Sequence, residues 1–156
     1  MRGDQKVIQV LNEALALELT PVVEYMSQSE MCNNWGYPKL GEIFKHRAIE
    51  EMKHAERLIE RIIFLDALPK VDVKLTPRLG ENVKNQLEID LEDEHLAVRE
   101  YNKFVQVCRD AKDDGSRELF TELIEDEERH VDFLEAELHS ISEMGIANFL
   151  QQMSGK

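Results

Sequence analysis

The chain has 156 residues, of which 42% are hydrophobic and 33% charged, with a net charge of −13. That length supports a single domain with a substantial core, and that charge excludes nucleic acid and anionic membrane surfaces as partners. No apolar run reaches transmembrane length, and the two cysteines, Cys32 and Cys108, lack a Cys-x-x-Cys pattern and read as small buried apolar residues.

The pattern predicts an all-α chain. A first helix is expected over about 4–34, with Asp4 as N-cap and Pro21 bending it without breaking it. Its opening residues are charged and helical rather than a secretion signal, so the cytoplasm is the expected location. Asn34-Trp35-Gly36-Tyr37-Pro38 makes a turn into a second helix over about 39–65. Residues 66–81 carry two prolines and a glycine but no helical stripe. Extended, they reach roughly 50 Å, more than the roughly 40 Å length of the second helix. The connection can therefore cross the whole bundle and set the third helix, about 82–112, parallel to the second. Asp113-Asp114-Gly115-Ser116 is read as a turn, followed by a fourth helix over about 117–144 and, after Gly145, a short fifth helix over 146–153. So short a helix must dock on its own bundle or on a neighbouring subunit to be stable. The expected fold is a ferritin-like four-helix bundle with one long crossover and a short C-terminal helix, in one domain spanning 1–156.

The chain repeats itself at an offset of 76 residues. Leu11, Leu15, Glu18, Val22, Tyr25, Ser29 and Cys32 follow the core stripe of a bundle helix, and their mates are Leu87, Leu91, Glu94, Val98, Tyr101, Val105 and Cys108. The second helix contributes Glu51 and His54, whose mates in the fourth are Glu127 and His130. Spacing of three places each glutamate and histidine on one helical face. These six polar residues therefore lie on the stripes that should form the core. A buried carboxylate needs a counter-charge or a metal. Four glutamates match the charge of two ferrous ions, and mixed oxygen and nitrogen donors suit iron. This constellation is already known from ferritin-like di-iron bundles and is applied here as a rule. Glu92 and His95 share the spacing but lack a matching histidine in the following helix. Tyr25 and Tyr101, two turns beyond Glu18 and Glu94, are expected to be core tyrosines that bond a carboxylate across the bundle. His95 and His139 read as residues at the surface or just behind the metal ligands.

The sequence also resembles the bacterioferritins. The resemblance is carried by Gly3-Asp4, Lys6-Val7-Ile8, Glu18-Leu19, Tyr25, Asn34-Trp35-Gly36, the run from Glu51-Met52-Lys53-His54 to Arg57, Asp126-Glu127-Glu128, His130 and Met144-Gly145. It covers nearly the whole chain. It implies a ferroxidase that oxidises Fe(II) to Fe(III) with dioxygen or hydrogen peroxide and stores ferric mineral inside a shell of 24 subunits. In that pattern Glu51 and Glu127 bridge two iron ions, Glu18 and His54 complete one site, and Glu94 and His130 the other. Met52, which alone would read as a surface or interface methionine, becomes the axial ligand of a haem b shared by two subunits. His46 and Glu50 match an additional iron site on the inner surface of the shell. A small ferredoxin is implied as electron donor for iron release. The alternative is a haem and di-iron redox protein without a major storage role. A rubrerythrin-like reductase is disfavoured by the absent Cys-x-x-Cys site, and a DNA-protecting mini-ferritin by the complete ligand set within one chain.

Overall fold

The computed structural model describes residues 1–155. Asp4 accepts from the backbone N–H groups of Lys6 and Val7 and so starts α1, Gln5–Asn34. Pro21 lies inside that helix without breaking it. The chain turns into α2, Pro38–Phe64, and the later helices are α3, Val83–Asp110, α4, Asp114–Met144, and α5, Ile146–Met153.

The two helical hairpins turn by one device. The N–H of Tyr37 donates to the Cys32 carbonyl at 2.8 Å, and that of Asp113 to the Cys108 carbonyl at 2.9 Å. The residue between takes a positive φ each time, Gly36 at 91° and Lys112 at 58°. The 76-residue repeat thus extends to the way its helices end. One expectation needs correcting: α4 starts at Asp114, so Gly115 is helical rather than part of the turn. The Asp113 carboxylate accepts from Ser116 N and Oγ and from Arg61, which caps the helix earlier. A Cβ on Gly115 would lie 2.6 Å from the Arg61 guanidinium, so a larger residue there would displace that side chain.

Cross-helix bonds fix the topology. Tyr25 meets Glu94 and Tyr101 meets Glu18, so α1 and α3 are antiparallel. His54 meets Asp126 and His130 meets Glu50, so α2 and α4 are antiparallel too. Since α1 and α2 form a hairpin, α2 and α3 run parallel, as a crossover demands. The crossover follows α1: Lys70 N donates to Asn12 Oδ1 at 2.8 Å and Arg78 N to Glu24 Oε1 at 3.0 Å.

The core forms two apolar clusters. One contains Leu11 and Leu15 of α1, Leu58 and Ile62 of α2, Tyr101 and Phe104 of α3, and Phe120 and Leu123 of α4. The other contains Tyr25, Phe44, Leu87 and Leu134, with Phe149 of α5 docked on its own bundle and Trp35 packed at its edge. Each fully buried Leu or Phe stabilises the fold by roughly 1.5–3 kcal/mol relative to exposure. In every long helix the Glu and His candidates fall in the chain segment between the two clusters. None of the helices among the described residues is long and apolar enough to cross a membrane.

Candidate metal centre

The gap between the clusters is filled by charge. Glu18, Glu51, His54 and Glu127 each offer one ligand atom within 4.8 Å of the others, and so do Glu51, Glu94, Glu127 and His130. Glu51 and Glu127 belong to both groups. All six side chains are buried, with relative exposures of 1–5%. Both histidines aim Nδ1 inward. His54 Nδ1 lies 3.0 Å from Glu127 and 3.4 Å from Glu18, and His130 Nδ1 lies 3.1 Å from Glu51 and 3.3 Å from Glu94. The two rings lie nearly parallel, centroids 6.2 Å apart.

The outward nitrogens are held by carboxylates that sequence reading did not assign to this task. His54 Nε2 is 2.9 Å from Asp126 Oδ2, and His130 Nε2 is 2.8 Å from Glu50 Oε2. A ring that donates Nε2–H to a carboxylate presents the Nδ1 lone pair inward. Glu50 and Asp126 are themselves mates at the 76-residue offset, each directly before a shared glutamate, but Glu42 and Glu118 or Glu56 and Asp132 are acidic mates too, so the repeat alone does not single them out. The tyrosines fulfil their expected role: Tyr25 donates to Glu94 Oε1 at 2.9 Å and Tyr101 to Glu18 Oε1 at 2.6 Å.

Electrostatics show what the cluster lacks. Burial, with the neighbouring carboxylates, raises Glu51, Glu94 and Glu127 well above the usual carboxylate range. Burial would raise Glu18 as well, but the neighbouring Glu51 and His54, with the hydrogen bond from Tyr101, outweigh it and hold it low. For His54, burial is overcome by Glu127 and Glu18, which push it up to about 11. Even so, Glu18 Oε2, Glu51 Oε1, Glu127 Oε1 and both Nδ1 atoms have no hydrogen-bond partner within the protein. Orphaned buried oxygens and imidazole nitrogens converging on two points fit a pair of borderline divalent cations such as iron.

A sequence profile described as a ferritin-like domain matches residues 8–144. The chain is 42% identical to a bacterioferritin of Brucella melitensis biotype 1 over 93% of this chain and 90% of the relative. It is 40% identical to one of Rhodobacter capsulatus, over 96% and 92% of the two chains. A bacterioferritin of Mycolicibacterium paratuberculosis is 34% identical over 97% and 96%.

The chain belongs to the bacterioferritin family.

Within this bacterioferritin-family bundle, Met52 lies on α2 outside the metal cluster, 44% exposed, with Ile49, 38% exposed, one turn before it. An exposed thioether on an apolar strip fits haem ligation by a second copy supplying the other sulfur. His46 Nε2 is 3.0 Å from Glu50 Oε1. Glu50 therefore divides its two oxygens between His46 and His130, and His46 itself is largely exposed.

A second set of acids, also unassigned from sequence, borders the centre. Glu24 and Asp90 are each only 2% exposed. Gln28 Nε2 donates to Asp90 Oδ1 at 2.6 Å, and burial, with Asp93 against it, raises Glu24 to about 9.

Proposed function

We propose that this chain is the subunit of an iron-storage protein and that its buried cluster is a ferroxidase centre. The observation that supports this most is the pair of ligand groups sharing Glu51 and Glu127, buried, with orphaned donor atoms aimed at two points. Glu18, Glu51, His54 and Glu127 would hold one iron, and Glu51, Glu94, Glu127 and His130 the other. Bound there as substrate, two Fe(II) supply two electrons to one dioxygen or one peroxide.

The remaining work falls to the chain. Four carboxylates match the charge of two Fe(II), and they favour Fe(III) further because its charge is higher. Asp126 and Glu50 hold the Nε2–H of each histidine and keep Nδ1 directed at the metals. Tyr101 and Tyr25 fix the rotamers of the unshared glutamates Glu18 and Glu94. The apolar clusters on either side exclude bulk water along the bundle. In the metal-free state, protons on the glutamates and charge on His54 offset the clustered negative charge; incoming ions replace them.

Under this reading the subunits assemble into a hollow shell of 24 in which ferric product accumulates, with haem b between Met52 side chains of paired subunits. His46 and Glu50 are the proposed additional iron ligands on the inner surface, and a small ferredoxin is the proposed electron donor for release.

The test is an anaerobic Fe(II) titration of the metal-free protein, each point then mixed rapidly with oxygen. The expected result is a fast phase saturating at about two irons per chain, absent in Glu127→Ala, followed by slow mineral growth in particles of shell size. Saturation at about one iron, or no fast phase, overturns the assignment.

A further inference from the structure

A cavity of about 430 Å³ connects the outer face of the α1–α3 pair to the metal cluster. Its inner part lies on the internal two-fold of the repeat: Glu18 and Glu94, Pro21 and Ala97, and Glu51 and Glu127 are mates at the 76-residue offset, and all line it. Beyond them it extends one way only, past Glu24 and Asp90. The mate of Asp90 is Ala14 and that of Gln28 is Phe104, both packed in the apolar core. Glu24 has an acidic mate in Glu100, so duplication accounts for that acid, but Asp90 and Asp93 have the apolar mates Ala14 and Leu17 and are not explained by it. Ala14 and Phe104 pack in the core on the opposite side, where Asp90 and Gln28 stand on this one.

The acids are under-compensated. Asp90 Oδ1 accepts from Gln28, while Asp90 Oδ2, on the cavity wall, has no partner within the protein. The Asp93 carboxyl group lies against that of Glu24 and, with burial, raises it. The cation facing them is Arg78 of the crossover, whose backbone N–H donates to Glu24 at 3.0 Å and whose guanidinium donates to Asp93 at 2.7 Å and Glu92 at 3.0 Å. That guanidinium is half exposed, so it can swing into solvent without a large desolvation change. Asp90 lies one turn before the metal-ligand candidate Glu94 on α3, so the acids form a continuous path inward.

We propose that Glu24, Asp90 and Asp93 form a staging site for a hydrated divalent cation at the outer end of this cavity, with Arg78 as the counter-charge that an arriving cation displaces. The three acids do not converge as the central six do, so the ion is held with water between it and some of them. Six waters at about 30 Å³ each fit within the cavity. Under the proposed function, on which this inference rests for its cargo, the cation is Fe(II) on its way to the cluster.

The test uses assembled metal-free protein, Co(II) as a redox-stable probe, and anomalous scattering from crystals. Wild type should bind a third, weaker Co(II) among Glu24, Asp90 and Asp93, and Glu127→Ala should keep it. The Glu24→Gln/Asp93→Asn variant should lose it while retaining the central pair. At limiting Fe(II), that variant's initial oxidation rate should fall by about tenfold with unchanged final amplitude. Arg78→Ala should tighten the third ion, and this arm decides the matter if the double variant fails to assemble. No outer ion in wild type, an outer ion that survives the double substitution, or no tightening in Arg78→Ala overturns the staging site. Loading of the outer site without the central pair would overturn the ferroxidase assignment instead.

Discussion

Asp126→Ala tests whether the carboxylate behind His54 sets the metal site. The substitution removes the acceptor 2.9 Å from His54 Nε2 and leaves the backbone of α4 intact. His54 has a side-chain exposure of 6% and Asp126 of 26%, so water can partly replace the lost acceptor. An unpaired buried N–H costs about 1–3 kcal/mol, and partial solvation places the expected loss of stability near the lower limit. The larger effect is on metal affinity, because the ring loses the bond that fixes its tautomer and orientation. Loss of such a partner lowers affinity by about 10–100-fold. Calorimetric Co(II) titration of metal-free protein should resolve this as weakening of one central site. Asp126→Asn, which keeps an acceptor oxygen, should recover most of the loss. Glu50→Ala should weaken the other site, through His130. A Co(II) isotherm for Asp126→Ala that superimposes on wild type, or equal weakening of both sites, would refute the reasoning.

The other substitutions probe separate parts of the same fold. Glu24 is raised from 4.5 to about 9 by burial and Asp93, so the folded protein keeps a proton there that the unfolded chain has lost. Its contribution to stability is full below pH 4.5 and declines as pH rises toward 9, by up to about 1.4 kcal/mol per unit. Urea unfolding of metal-free Glu24→Gln should show its advantage over wild type growing by up to about 4 kcal/mol between pH 5 and 8; parallel pH profiles would argue against it. Tyr101→Phe strands the buried Glu18 Oε1, and the metal-free protein should lose about 1–3 kcal/mol in denaturant unfolding. Gly145 takes φ 81° and ψ 152° with nothing within 4 Å of an added Cβ. Gly145→Ala should therefore cost about 1–3 kcal/mol through backbone strain alone, read as faster proteolysis around α5; unchanged proteolysis would contradict this.

The parts of this molecule that were readable in sequence follow helical period and repeat. Glu18, Glu51, His54, Glu94, Glu127 and His130 stood out because they interrupt apolar stripes, and Tyr25 and Tyr101 because they continue them. The carboxylates behind the histidines did not stand out. Glu50 and Asp126 lie one residue, about 100°, off the ligand face and resemble solvated acids until antiparallel packing brings each beside the histidine of the opposite helix. Glu24 and Asp90 were hidden among 32 acidic residues, because their proximity depends on the pairing of α1 with α3. Arg78 lies in a segment with no period at all. The early start of α4 was missed because it depends on a three-way contact among Asp113, Ser116 and Arg61 from another helix.

The division of the cluster between two hairpins has a consequence for biosynthesis. The first hairpin, α1 with α2, carries Glu18, Glu51 and His54, and the second, α3 with α4, carries Glu94, Glu127 and His130. Each hairpin closes through short-range contacts and can form early as the chain emerges. Neither hairpin alone completes a four-residue group, because the first group needs Glu127 and the second needs Glu51. A half-made chain therefore offers only weak, open acids to passing cations. Under the proposed function, tight capture begins when the hairpins dock, and metal would stabilise finished bundles selectively over partly folded ones.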